Sequence, residues 1–72
     1  MSKLLRDAGE ALYGPRWQSD LARDLHMSDR HVRRLASGAA PVTDGISADL
    51  QRLCEERIRR LEDVLSALRQ CA

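Results

Sequence analysis

Phenylalanine is absent from this 72-residue chain, Tyr13 and Trp17 are its only large aromatics, and Lys3 is its only lysine. A core must therefore be built from Leu, Ile, Val and Ala around a single tryptophan. Chains of this size bury only about 60% of their unfolded surface and are marginal alone, so a second copy is a natural way to bury more. No run approaches the roughly 18 consecutive apolar residues that a membrane span requires. The opening MSKLLRDAGEAL carries acids too early, and too short an apolar run, for a secretory signal. The expected address is cytoplasmic, with no membrane partner. Cys54 and Cys71 lack CxxC pairing, and with His26 and His31 they form no recognisable ligand spacing. No metal or cofactor is expected, and two thiols fall short of a secreted disulfide scaffold. Catalytic signatures are missing as well: no Ser/His/Asp arrangement, no phosphate-cradling glycine loop, no acid pair set apart by environment. An enzyme is not expected.

What the chain does have is an uneven charge distribution beneath a net charge of +1. Residues 1–38 hold seven basic and five acidic side chains, whereas residues 39–72 hold five basic and six acidic. Eleven of the twelve basic residues are arginine, whose planar fork of donors suits phosphate and the edge of guanine. The stretch SDRHVRRL concentrates three of them, and no acid occurs from Arg30 to Ala40.

Apolar residues recur at helical rather than strand spacing throughout, so the expected fold is all-α, a single domain over 1–72 with about four helices. Leu4, Leu5, Ala8, Ala11 and Leu12 mark a first helix that stops near Gly14-Pro15, because proline disfavours the helical region for its predecessor. A second helix runs from about Arg16 to Leu25, with Trp17, Leu21 and Leu25 on one face. Trp17 reads as core rather than as a stacking platform, since the leucine stripe continues through it. Ser28 is a good N-cap for a third helix, and Asp29 suits the positive end of its dipole. Val32, Leu35 and Ala36 face inward, and Gly38 closes the helix. After the loop SGAAPVTDG, Thr43 caps a fourth helix of some 26 residues over 44–70, a rod of roughly 40 Å.

Ile46, Leu50 and Leu53 give that last helix one apolar stripe. Cys54, Ile58, Leu61, Leu65, Leu68 and Ala72 then follow at alternating steps of four and three, a heptad seam. Glu55–Arg59 and Glu56–Arg60 are spaced to pair along its flank. The expectation is that the first half caps the core and the second half pairs with another copy. The alternative folds the seam back onto its own domain.

Two short helices across a tight turn, the second basic outside and apolar inside, is helix-turn-helix patterning, here over 17–37. The segment QSDLARDLHMSDRHVRRLAS resembles the helix-turn-helix of Cro/CI-type DNA-binding regulators of phages and bacteria. Gln18 opens the first helix, Ala22 is the small residue at the crossing, and Leu21, Leu25, Met27, Val32 and Leu35 occupy the family's buried positions. His26 departs from the pattern, standing where the family usually has glycine at positive φ, a region in which His is tolerated. The wider stretch LYGPRWQSDLARDLHMSDRHVRRLASGAAPV is similar to small phage and prophage regulators that include the anti-CRISPR-associated repressors.

The resemblance implies a homodimeric repressor that binds an inverted-repeat operator in double-stranded DNA and shuts down its own operon, in a bacterial host's cytoplasm. Arg30, Arg33 and Arg34 lie on the arc that would enter a major groove, where arginine reads guanine or grips phosphate. Asp29 could accept from cytosine, or could cap the helix and steady Arg33. His31 either contacts DNA or is merely solvated. Gln18 carries over from the family as a phosphate contact, with Ser28 at the helix tip and Ser37 and Arg16 as weaker backbone candidates. No small-molecule effector is expected, since no separate pocket or sensing domain is evident. The alternatives are a helical interaction module, antitoxin-like or adaptor, and a DNA-binding recombination factor.

Overall fold

The computed structural model describes residues 2–71, and among these the chain is four helices with no strand. They are α1 (Ser2–Tyr13), α2 (Trp17–Leu25), α3 (Asp29–Ser37) and α4 (Asp44–Cys71). Three of the boundaries fall where the local chemistry asks for them. Gly14, at φ 86°, ends α1 and donates its N–H to the Glu10 carbonyl at 2.8 Å. Gly38, at φ 85°, closes α3, a left-handed conformation that glycine adopts without a Cβ penalty. Thr43 caps α4 by accepting the Ile46 N–H at 3.2 Å on its hydroxyl.

The core lies where α1, α2, α3 and the first two turns of α4 converge. Leu5, Leu21, Val32 and Leu35 are completely buried, Trp17 is 4% exposed, and Ala22, Leu25, Ile46 and Leu50 complete the cluster. Trp17 is therefore core, as its place in the leucine stripe requires. Ala22 is 1% exposed, small enough for α2 and α3 to approach. The residues of α1 sort more narrowly than their spacing indicates. Leu5, Gly9 and Leu12 form the buried line, while Leu4 is 62% exposed and Ala11 is also outside. Gly9 lies flat against the Trp17 ring, where an added Cβ would overlap the indole carbons.

The fourth helix leaves the domain behind. Its 28 residues span ~42 Å at 1.5 Å per residue, and from Glu55 to Cys71 every residue is exposed. The Cα radius of gyration is accordingly 14.0 Å, with a long dimension of 48 Å, where a compact chain of this length has a radius of about 11 Å. The seam does not fold back onto its own domain. Nor do the flanking ion pairs form as spaced. On α4, Arg52 bridges Asp49 at 3.9 Å and Glu56 at 3.1 Å, and the Glu55–Arg59 and Glu56–Arg60 pairs are absent from the ion pairs among the described residues. Ala72, the last seam position, lies outside the described residues.

Candidate nucleic-acid interface

The interface is assembled from the α2–turn–α3 unit. At its turn His26 adopts φ 57°, ψ 44°, the left-handed conformation, and is the only non-glycine residue at positive φ among the described residues. Its N–H reaches the Arg23 carbonyl at 3.2 Å, and that of Met27 reaches the Ala22 carbonyl at 2.8 Å, closing two of the free carbonyls of α2. The chain then extends through Ser28 (φ −77°, ψ 154°), whose hydroxyl accepts the His31 N–H at 3.1 Å. Ser28 is thereby committed to starting the helix at its proper angle.

One residue beyond the cap, Asp29 starts the helix as expected but does not steady Arg33. Its carboxylate accepts a hydrogen bond from the Ser19 hydroxyl of α2 at 2.9 Å, and it forms no ion pair with Arg33. This bond crosses the turn and braces the two helices against each other. It also holds a negative charge at the positive end of the α3 dipole. A contact ten residues distant, across a turn, leaves no trace in helical spacing.

Val32 and Leu35 seat α3 on the core, leaving Arg30, His31, Arg33 and Arg34 exposed on the opposite side. None of the ion pairs among the described residues includes Arg30, Arg33 or Arg34. The outer face of α3 thus presents three guanidinium forks outside any ion pair, while Asp29, the acid on the same helix, is bonded to Ser19. Ser37, at the far end, is engaged internally: its hydroxyl donates to the Arg34 carbonyl at 3.1 Å and accepts the Ala39 N–H at 3.4 Å. It serves the end of α3, which weakens its candidacy as a phosphate donor. Gln18, half-buried, lines a shallow cleft at the start of α2 with Pro15, Arg16 and Ser19. Ser19 links that cleft to Asp29, so the two helix starts are adjacent.

A polar brace behind this face went unread in the sequence. The Tyr13 hydroxyl donates to Asp24 at 2.5 Å, Arg23 reaches the same carboxylate at 3.3 Å, and Arg57 of α4 stands over the Tyr13 ring at 5.9 Å. Burial, and then the hydrogen bond to Asp24, push the Tyr13 phenol well above its ordinary pKa. The Tyr13 hydrogen bond in turn holds the Asp24 carboxyl below its usual value, with help from Arg23. The brace ties the end of α1 to α2 and α4, fixing the frame on which α3 sits. Tyr13 preceding a Gly-Pro break was the available signal, since a phenol at a helix end commonly has a polar partner.

Among the described residues no group of three or more His, Cys, Asp or Glu is placed to hold a metal ion, and no helix is long and apolar enough to cross a membrane. Comparison with protein-family models, curated proteins and solved structures returns no match for this chain.

Proposed function

We propose that this chain is a sequence-specific DNA-binding repressor of the Cro/CI-like kind, acting as a homodimer on an inverted-repeat operator and controlling its own phage or prophage operon. The anti-CRISPR-associated repressors are the subgroup proposed. The observation that carries the reading is the outer face of α3: three arginines without acid partners, on the second helix of a braced helix-turn-helix unit. A B-DNA major groove about 12 Å wide admits one helix, with its N-terminal residues nearest the base edges. Arg30, Arg33 and Arg34 divide between guanine edges, where a bidentate contact discriminates by about 1–3 kcal/mol, and phosphates, which fix position without reading sequence. Gln18 and Arg16, at the start of α2, take the phosphate backbone in this reading.

In the dimer, two α3 helices enter successive major grooves on one face of the duplex, roughly 34 Å apart. Occupancy of an operator that overlaps a promoter then excludes polymerase. The testing experiment is a gel shift and footprint on DNA from around the chain's own gene, with Arg33→Ala and Arg34→Ala alongside. A protected inverted repeat, lost in the variants, is the expected result. No protected site, or variants that bind as well as the parent, would refute the proposal.

One observation favours a second reading, a helical interaction module: the exposed apolar face of α4 beyond Glu55 could receive a different protein. Sedimentation separates the two, because that reading needs a monomer at every concentration and the first needs a dimer.

A further inference from the structure

The apolar residues of distal α4 are well exposed: Ile58 by 56%, Leu61 by 59%, Val64 by 41%, Leu65 by 46% and Leu68 by 62%. Such a strip on a small chain marks an interaction surface. It does not stop at Cys54. Followed toward the N-terminus, the same heptad positions become Gln51 and Ser47, and both line a groove of about 400 Å³ between α1 and α4. Leu4, Ala8, Leu50 and Cys54 contribute the groove's apolar wall and floor, and Leu4 stands at 62% exposure there. Groove and seam are one continuous surface, flanked at one end by α1.

We infer that the occupant of this surface is a second copy of α4 laid parallel to the first, so that each α4 enters the groove of the other and α1 joins the interface. This rests on the homodimer reading above and specifies its geometry. The orientation comes from the charges beside the seam. With Ile58 and Leu65 at heptad position a, and Cys54, Leu61 and Leu68 at d, the flanking e positions are Glu55, Glu62 and Arg69. The g positions are Leu50, Arg57 and Val64.

In a parallel pair each g residue faces the e residue five positions on in the other copy, and such pairs set orientation. Arg57, turned from the Tyr13 ring that it overlies in the single chain, then meets Glu62 twice across the two-fold axis, and no like charges face each other. Leu50 faces Glu55 and Val64 faces Arg69 without conflict. Antiparallel packing sets e against e instead. The stagger that matches Leu61 with Leu65 gains Glu55–Arg69 contacts but sets Glu62 against its own copy. The stagger that matches Ile58 with Leu61 slides the distal seam toward the groove and sets Glu55 against Glu62 twice. Of these three arrangements, the parallel one alone follows the seam into the groove without a repulsive contact.

The native cysteines and a charge swap test this directly on the intact chain. In the parallel dimer Cys54 faces Cys54, so oxidation of the dimer should yield a Cys54–Cys54 disulfide that survives Cys71→Ser and disappears in Cys54→Ser. A Cys54–Cys71 link in an otherwise normal dimer overturns the parallel geometry and leaves dimerisation standing. Arg57→Glu should weaken the dimer about tenfold in sedimentation equilibrium, and adding Glu62→Arg should restore it. Failure of the double variant to recover, with the single variant folded by circular dichroism, also overturns the geometry. A parent chain that stays monomeric at every concentration overturns both this inference and the homodimer itself, and DNA binding by that monomer is read separately in the gel shift.

Discussion

Gly9→Ala tests whether the packing of α1 on Trp17 is as close as described. In an exposed helix interior the substitution should stabilise, because alanine exceeds glycine in helix propensity by about 0.8–1.0 kcal/mol. At Gly9 the new Cβ would sit inside contact distance of the Trp17 ring, on the six-membered side of an indole that is only 4% exposed. The ring is walled in by the core and cannot swing clear, so α1 must move off α2. Overpacking of this kind costs typically 1–3 kcal/mol. The two effects oppose, and the net expectation is a loss of up to about 2 kcal/mol. For a domain of this size that lowers Tm by up to roughly 15 °C. Gly45→Ala is the matched control, since its Cβ would meet nothing closer than the Thr43 hydroxyl oxygen at 3.9 Å. It should be neutral or raise Tm by a few degrees. Urea and thermal unfolding followed by circular dichroism read both variants. A Gly9→Ala chain as stable as Gly45→Ala would show that α1 does not lie against Trp17.

Two further variants probe the frame of the site. His26→Gly removes a side chain from the left-handed conformation at the α2–α3 turn and should stabilise by up to ~1 kcal/mol, less whatever glycine gains in unfolded-state entropy; a loss beyond 1 kcal/mol would mean that the His26 ring makes contacts of its own. Tyr13→Phe should cost about 1 kcal/mol in urea unfolding at neutral pH, because it leaves the partly buried Asp24 carboxylate one donor short. The pH dependence follows from the same pair. Asp24 is depressed in the folded chain, so its contribution is present above the ordinary carboxyl pKa and fades as pH falls through the lower folded value. Tyr13 is raised, so its contribution is complete below the ordinary phenol pKa near 10 and is lost as pH climbs above it. Tyr13→Phe should therefore flatten the alkaline limb of the stability profile, and an unchanged limb would contradict the brace.

Much of this architecture could be read before any coordinates, for identifiable reasons. Helix ends depend on one or two residues with strong local preferences, so Gly14, Ser28, Gly38 and Thr43 announce them. The left-handed turn at His26 follows from the helix-turn-helix pattern that the segment resembles, even though the residue is unusual. Choices between neighbours are another matter. Leu4 and Leu5 both fit helical spacing, and only the angle at which α1 meets α4 buries one and leaves the other at a groove. Asp29 sits at the helix start that its position announces, but its bond to Ser19 is hidden, because Ser19 becomes its neighbour only after α2 and α3 fold across the turn. Gly9 carried no signal, since its role is defined entirely by the ring opposite. The seam was legible as a heptad, while its failure to fold back depends on the length by which α4 outruns the other three helices.

The central claim is that the unpaired arginines of α3 bind DNA and divide between reading and positioning. It is tested most directly by fluorescence anisotropy on operator and scrambled duplexes across a range of salt concentrations. Binding should weaken steeply with salt, with a log–log slope of about −0.9 for each neutralised phosphate, and should favour the operator. Replacing a phosphate-gripping arginine by alanine should flatten the slope of the dimer by about 1.8, one contact per protomer, on both duplexes alike. Replacing a guanine-reading arginine should instead erase discrimination between them at little change in slope. Affinity that ignores salt, or that survives Arg30→Ala, Arg33→Ala and Arg34→Ala together, would contradict the account.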